Sequence, residues 1–198
     1  MSSDLIIALS TFALVSSITP GPNNLMLMSS GATFGFKRTI PMMLGVAAGF
    51  IFMLIMVGIG LVQLFDSYPL TYQILKVFSI SYIFYLAFKI ATSLAPEDRS
   101  NKHAQPFSFL QAALFQWVNP KAWTMALTAM SIYSPTRDLD AILLVTIVFG
   151  LVNIPCASVW IILGQKLRRL LKNDSHLRLF NLAMAALLIM SVYPVLLN

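Results

Sequence analysis

The sequence has little charge for its length. Of its 198 residues, 7 are acidic and 13 are lysine or arginine, so 10% of the chain is charged while 58% is hydrophobic. Mean hydropathy is +0.81, whereas a soluble domain carries about 25% charged residues. This balance excludes an ordinary soluble domain and predicts an integral membrane protein.

Cysteine and histidine are also scarce. The single cysteine, Cys156, excludes an intrachain disulfide. The two histidines, His103 and His176, fall in polar stretches that we predict to be loops. Neither histidine is therefore placed to serve a metal site or a serine–histidine pair inside the membrane. We predict no catalytic residue, no metal and no cofactor, and we do not expect an enzyme.

What the sequence does contain is long apolar runs. Each is near or above the roughly 20 residues that a helix needs to cross a bilayer. They cover residues 5–28, 39–64, 70–93, 107–132, 139–163 and 177–197. We predict an all-α, polytopic membrane protein with six spanning helices in a single domain, residues 1–198. Three spans lie in residues 1–94 and three in 107–198, joined by a cytoplasmic linker at 95–106.

The basic residues are concentrated in every second connection between the predicted spans. Ten of them lie in or beside three connections, while Arg137 alone lies in the other set. The positive-inside rule places the basic connections in the cytoplasm and both termini on the outer side. The net charge of +6 therefore reflects topology, and no nucleic-acid partner is predicted. The ten residues are Lys37, Arg38, Lys89, Arg99, Lys102, Lys166, Arg168, Arg169, Lys172 and Arg178.

Helix-disfavouring residues interrupt two of the apolar segments. The first segment contains TPGPNN at residues 19–24, and the fourth contains WVNPK at 117–121. Three crossings separate them, so the two halves would form an inverted repeat if they share a fold. Broken helices at corresponding places in inverted halves indicate a transporter's binding site. A simple proline kink is the alternative, and it is stronger for Pro120 alone than for the TPGPNN cluster.

These motifs resemble those of the LysE/RhtB family of bacterial amino-acid exporters. The resemblance covers nearly the whole chain and is greatest to the branch that exports cysteine and O-acetylserine. It implies an efflux carrier of the bacterial inner membrane, driven by the proton gradient. The stretches that carry it are TPGPNN at 19–24, GATFGFKR at 31–38, GVAAGF at 45–50, YLAFKIATS at 85–93 and NPKAW at 119–123.

The two interruptions also form the predicted substrate site. An amino acid presents a carboxylate, which suits the amides at the N-terminal end of a half-helix, and an ammonium group, which suits unwound carbonyls. The three asparagines could either bind substrate or satisfy the broken backbone. The predicted substrate-binding residues are Pro20, Gly21, Pro22, Asn23, Asn24, Asn119, Pro120 and Lys121.

Lys121 lies near the middle of the fourth segment, where an unpaired charge is costly. All seven acidic residues lie in predicted loops or at segment ends. The remaining partners are carbonyls of the first interruption or a substrate carboxylate; a neutral amine and snorkelling to the membrane surface are alternatives. We predict that Lys121 engages a carboxylate or a carbonyl and is a candidate carrier of the coupled proton. The lack of intramembrane acids also predicts a neutral or zwitterionic substrate.

Two further sequence features bear on helix packing or on the lining of a substrate cavity. Gly45 and Gly49 form a GxxxG spacing, which predicts close helix packing, with cavity lining as the alternative. Asn153 and Pro155 in the fifth segment predict another local break, and Asn153 is a candidate cavity residue.

The leading hypothesis is a secondary exporter that works by alternating access around the two interruptions. The alternative is a passive channel or a structural membrane protein without a substrate, although a channel usually has polar rings around an oligomer axis. The predicted partners are an amino-acid substrate, protons and membrane lipid, and a homo-oligomer is left open.

Overall fold

The structure is a computed structural model that describes residues 3–61, 67–92, 105–136, 138–170 and 174–190. Within these ranges the chain forms helices and no strand, which confirms the all-α class. Most of the linker, including His103, and the last eight residues lie outside the described ranges, as does Arg137. The helices are α1 Ser3–Ile18, α2 Pro22–Phe34, α3 Phe36–Gly58, α4 Pro69–Ala91, α5 Phe109–Phe115, α6 Pro120–Tyr133, α7 Leu139–Leu170 and α8 Asp174–Met190.

Helices α3 and α7 are long and apolar enough to cross a membrane on their own. In the part of the chain that the structure describes, a third span arises if α1 and α2, which meet at 54°, count as one bent crossing. Large apolar side chains point outward, as on a lipid-facing surface: Leu151 is 71% exposed, Phe88 67% and Val77 64%.

The first interruption follows from its prolines. Helix α1 ends at Ile18, and α2 begins at Pro22, which occupies the first helical position. A proline has no backbone donor and fixes its own φ, so it starts a helix well and continues one poorly. Proline also pushes the preceding residue out of the helical region, and Gly21 accordingly has an extended backbone with φ −175° and ψ 176°.

The second interruption also lies just before a proline that starts a helix, but the helix that precedes this interruption is shorter. Helix α5 has seven residues and begins with a capping box made by Ser108 and Gln111. A single 3-10 turn, Gln116–Val118, ends at Asn119, whose extended backbone precedes Pro120. The Asn119 side chain then accepts a hydrogen bond from the Lys121 amide at 3.1 Å and caps α6.

Glycines let one short helix lie directly on each long one. A Cβ atom at Gly31 of α2 would collide with the Ile161 carbonyl of α7, and one at Gly164 of α7 would collide with the Met28 carbonyl of α2. These two helices therefore touch backbone to backbone, an approach that any side chain would prevent.

Helices α3 and α5 pack in the same way. A Cβ atom at Gly45 would collide with the Phe109 carbonyl, and one at Gly49 would lie 2.5 Å from the Ala113 carbonyl. Gly45 and Gly49 thus hold α5 against α3, which is the packing role considered for their spacing.

The fifth apolar segment does not break. Helix α7 runs from Leu139 to Leu170 with Pro155 inside it, so the predicted local break at Asn153 and Pro155 is wrong. One proline removes a single donor and displaces one carbonyl, which a helix of 32 residues packed along α2 and α3 tolerates.

Candidate substrate site

The two interruptions meet through Lys121. Its ammonium nitrogen Nζ lies 2.6 Å from the carbonyl oxygen of Thr19, 2.8 Å from the Thr19 hydroxyl and 3.4 Å from the carbonyl oxygen of Pro20. Lys121 belongs to the first turn of α6, yet its side chain reaches the carboxyl end of α1. The negative end of the α1 dipole favours a cation at that place.

Two other side chains donate hydrogen bonds to backbone carbonyls at the carboxyl end of α1. Asn24 Nδ2 donates to the carbonyls of Ser17 and Thr19, each at 2.8 Å, and Trp160 Nε1 donates to the Ile18 carbonyl at 3.1 Å. The final carbonyls of a helix have no partner within the helix. Here side chains from α2, α6 and α7 supply partners for four successive carbonyls, which lets the chain interrupt a helix inside an apolar environment.

A reciprocal amide pair joins the interruptions a second time. Asn23 Nδ2 donates to Gln116 Oε1 at 2.8 Å, and Gln116 Nε2 donates to Asn23 Oδ1 at 3.0 Å. Gln116 is fully buried and also donates to the Ala112 carbonyl at 3.0 Å. Gln116 is not among the site residues predicted from the sequence, although a glutamine close to the second interruption within an apolar segment is a signal that could have found it.

The amino end of α2 has no side-chain cap. Asn23 and Asn24 follow Pro22 in the first turn of this helix, but their side chains bond to Gln116 and to the end of α1. The first backbone amides of the helix and the positive end of its dipole therefore face the adjacent space without a capping side chain. Gly21 borders that space, and a Cβ atom there would lie 2.5 Å from Lys121 Cδ.

A cavity lies at this place, between α1, α2, α3, α6 and α7. Its free space is about 20 Å³, room for about one water molecule and too little for an amino acid. Two buried polar atoms on its wall, Ser17 Oγ and Asn153 Oδ1, have no hydrogen-bond partner among the described residues. Ser17 is 6% exposed, so its unpaired hydroxyl is costly unless a ligand or water meets it.

The cavity gathers most, but not all, of the predicted site residues. Those on its wall are Gly21, Asn23, Asn24, Asn119, Lys121 and Asn153. Pro20, Pro22 and Pro120 shape the backbone and are not among the lining residues, and Gly45 and Gly49 lie at the α3–α5 contact. Among the described lining residues Lys121 is the single charged one, and none is acidic.

Apolar helices around a polar cavity, with two interrupted helices facing each other across it, are typical of membrane transporters. The family comparison agrees: the model of the LysE type translocator family matches residues 14–193. The chain therefore belongs to the LysE type translocator family and is a membrane transporter rather than an enzyme.

Curated relatives cover nearly the whole chain. Proteins named cysteine/O-acetylserine efflux protein are 32% identical in Escherichia coli O139:H28 and 31% identical in Escherichia coli K12 and in Shigella sonnei. Each match covers 192 residues, 96% of this chain and 96% of the relative. No solved structure matches significantly.

Proposed function

We propose that the protein is a secondary exporter of neutral or zwitterionic amino acids or close derivatives, such as cysteine, O-acetylserine or homoserine. The observation that carries the proposal is the Lys121 ammonium. It connects the two interruptions and lines a cavity in which none of the described residues is acidic. The efflux relatives support the direction of transport and the substrate class.

The substrate carboxylate would bind at the amino end of α2 and to Lys121. The uncapped amides of α2 offer hydrogen-bond donors, and the ammonium of Lys121 borders the same cavity. The substrate ammonium would then meet Ser17 Oγ and Asn153 Oδ1, the two acceptors on the cavity wall that have no partner among the described residues. Because no acid lines the cavity among the described residues, a second positive charge on the substrate would stay uncompensated.

Alternating access would open the cavity to each side in turn. At about 20 Å³ the cavity is closed to an amino acid, so α1 and α2 must separate from α6 or α7 before a substrate enters. In the closed arrangement Lys121 is bound to Thr19 and Pro20. Exchange of these bonds for the substrate carboxylate would couple binding to opening, and Lys121 would carry the coupled proton.

The helix packing supports the proposed membrane arrangement. Short helix α2 of the first half lies on long α7 of the second half, and short α5 of the second half lies on long α3 of the first half. Such reciprocal packing is expected if six spans form two inverted repeats, residues 1–94 and 107–198, within one domain. The basic connections favour a bacterial inner-membrane location with both termini outside. Protons and lipid are the proposed further partners.

Counterflow in proteoliposomes tests the function. Vesicles loaded with unlabelled cysteine or O-acetylserine should accumulate the labelled compound saturably, and labelled lysine should not exchange. Lys121→Met should lower exchange about tenfold to a hundredfold, as expected for the loss of one hydrogen bond to a charged group. Lys37→Met, at an exposed position outside the cavity, is the matched control and should exchange like the wild type.

Either of two results would contradict the proposal. Full exchange by Lys121→Met would remove the lysine from the mechanism. A wild-type protein that releases label without saturation or exchange would be a passive channel. Equal unfolding temperatures for Lys121→Met and the wild type would show that a loss of exchange does not come from a loss of fold.

A further inference from the structure

Four aromatic rings form a continuous chain beside the cavity at the interruptions. The ring centres of Phe50 and Phe149 lie 5.5 Å apart, and those of Phe149 and Phe12 lie 6.0 Å apart, both pairs edge to face. The ring centres of Phe12 and Tyr133 follow at 6.0 Å. Rings at such distances attract each other beyond the burial of their surface. The chain of rings therefore joins α3, α7, α1 and α6, all of which bound the cavity.

The rings lie on one side of the cavity. Phe12 lies five residues before the lining residue Ser17, or about 7.5 Å toward the amino end of α1. Phe149 lies four residues before the lining residue Asn153, or about 6 Å toward the amino end of α7. Tyr133 is the last residue of α6. In the arrangement that we propose from the basic connections, these three helix ends all lie on the outer side.

This side of the cavity is apolar and tightly packed. Phe149, at the centre of the chain, is fully buried, and Phe50 and Tyr133 are buried as well. A layer of this kind blocks a zwitterion, because charged groups without partners are costly to bury. The apolar side chains packed with the rings include Leu9, Ala13, Met53, Leu54, Met130 and Val145.

On the opposite side of the cavity, α2 and α7 touch through backbone. The contact includes Gly164, seven residues after the lining residue Ala157 and toward the carboxyl end of α7. Side chains change rotamer without a movement of their helix, whereas two backbones in contact separate only when whole helices move. The ring chain is thus the place where closure of the cavity depends on side chains.

We propose that the rings of Phe12, Phe50, Tyr133 and Phe149 form the outer gate of the exporter, and that Phe50 is the ring that meets the substrate. The inference rests on the proposed export function. Phe50 lines the cavity and also contacts Phe149, so a substrate that displaces Phe50 weakens the chain at its centre. Release to the outer side then requires Phe149 to separate from Phe12, because this contact joins α7 to α1.

Thiol labelling of the cavity tests the outer gate. Ser17→Cys is the reporter, because Ser17 lines the cavity and its hydroxyl has no hydrogen-bond partner among the described residues that the change would remove. Cys156→Ala removes the one native cysteine and completes the reference protein. Right-side-out and inverted membrane vesicles are treated with a membrane-impermeant methanethiosulfonate that carries a sulfonate group, whose negative charge suits the Lys121 ammonium.

Phe149→Ala, added to the reference protein, should speed labelling in right-side-out vesicles about tenfold to a hundredfold, as expected for the loss of two ring contacts. Labelling in inverted vesicles should stay at the reference rate. Phe12→Ala also removes two ring contacts and should act in the same way. The matched control is Phe115→Ala, because Phe115 is equally buried, contacts the Tyr82 ring and is not among the residues that line the cavity. It should label like the reference protein from both faces.

Phe149→Leu keeps an apolar side chain at the centre of the gate and guards against loss of fold in Phe149→Ala. It should speed outer labelling in the same direction but by less. Outer labelling at the reference rate in both Phe149 variants and in Phe12→Ala, with saturable wild-type counterflow, would overturn the gate and leave the export function intact.

Two other patterns of labelling would also overturn the gate. Faster labelling from the inverted vesicles would place the rings on the cytoplasmic side, and an equal rise in Phe115→Ala would show a general loosening of the bundle. Absence of saturable wild-type counterflow would refute the export function and the gate together, whatever the labelling.

Discussion

The amide pair between Asn23 and Gln116 gives a quantitative test of how the interruptions hold together. Two hydrogen bonds of 2.8 and 3.0 Å connect side chains 93 residues apart. Interhelical hydrogen bonds in membrane proteins contribute about 0.6 kcal/mol on average and at most about 1.7 kcal/mol. Two of them predict a coupling energy of about 1–2 kcal/mol, a factor of about 5–30 in the ratio of folded to unfolded protein.

A double-mutant cycle measures that coupling. Asn23→Leu and Gln116→Met replace each amide by an apolar side chain of similar size, and each alone leaves the other amide without its partner. The double variant should therefore lose less free energy of unfolding in detergent than the sum of the single variants. Additivity within about 0.5 kcal/mol would refute the reasoning, since that is the behaviour of independent sites.

Two further predictions concern the close contacts of the fold. Gly49→Ala should lower the unfolding temperature because its Cβ would lie 2.5 Å from the backbone oxygen of Ala113. In the control Gly150→Ala, the new Cβ meets only the end of the Ile51 side chain at 3.1 Å, so stability should be unchanged or higher. Equal falls in unfolding temperature for the two variants would contradict the close contact at Gly49. Asn24→Leu should cost about 1–3 kcal/mol of unfolding free energy because it leaves the Ser17 carbonyl without its donor and the Thr19 carbonyl with Lys121 alone. An unchanged unfolding temperature would show that water replaces the amide.

Much of the local structure could be predicted from the sequence. Hydropathy indicates which stretches are helical. The two motifs indicate where the chain leaves the helical conformation, because each combines proline, which lacks a donor and restricts the residue before it, with asparagine, which competes for backbone groups. The charge of Lys121 in an apolar segment predicts a partner for it, and the Thr19 and Pro20 carbonyls are one of the partners expected from the sequence. Its substrate role stays a prediction.

Other site residues could not be predicted because their role depends on distant neighbours. Trp160 is one of many aromatic residues in apolar segments, and only the contact between α7 and the end of α1 shows that its indole donates to Ile18. Ser17 carries no motif, and its importance arises because its hydroxyl faces a cavity without a partner. The expected break at Pro155 was wrong because the packing of neighbouring helices along α7 decides whether a proline interrupts that helix.

The sequence by itself determined the membrane class, the all-helical structure and the places of the two interruptions at residues 19–24 and 117–121, because these depend on hydropathy and on backbone chemistry within a few residues. The tertiary structure alone decided which side chains satisfy the freed carbonyls, where Gln116 finds Asn23, and which hydroxyls remain unpaired beside a cavity. Asn23 and Gln116 are 93 positions apart and Thr19 and Lys121 are 102 positions apart, and short-range patterns carry no information about contacts between such distant residues.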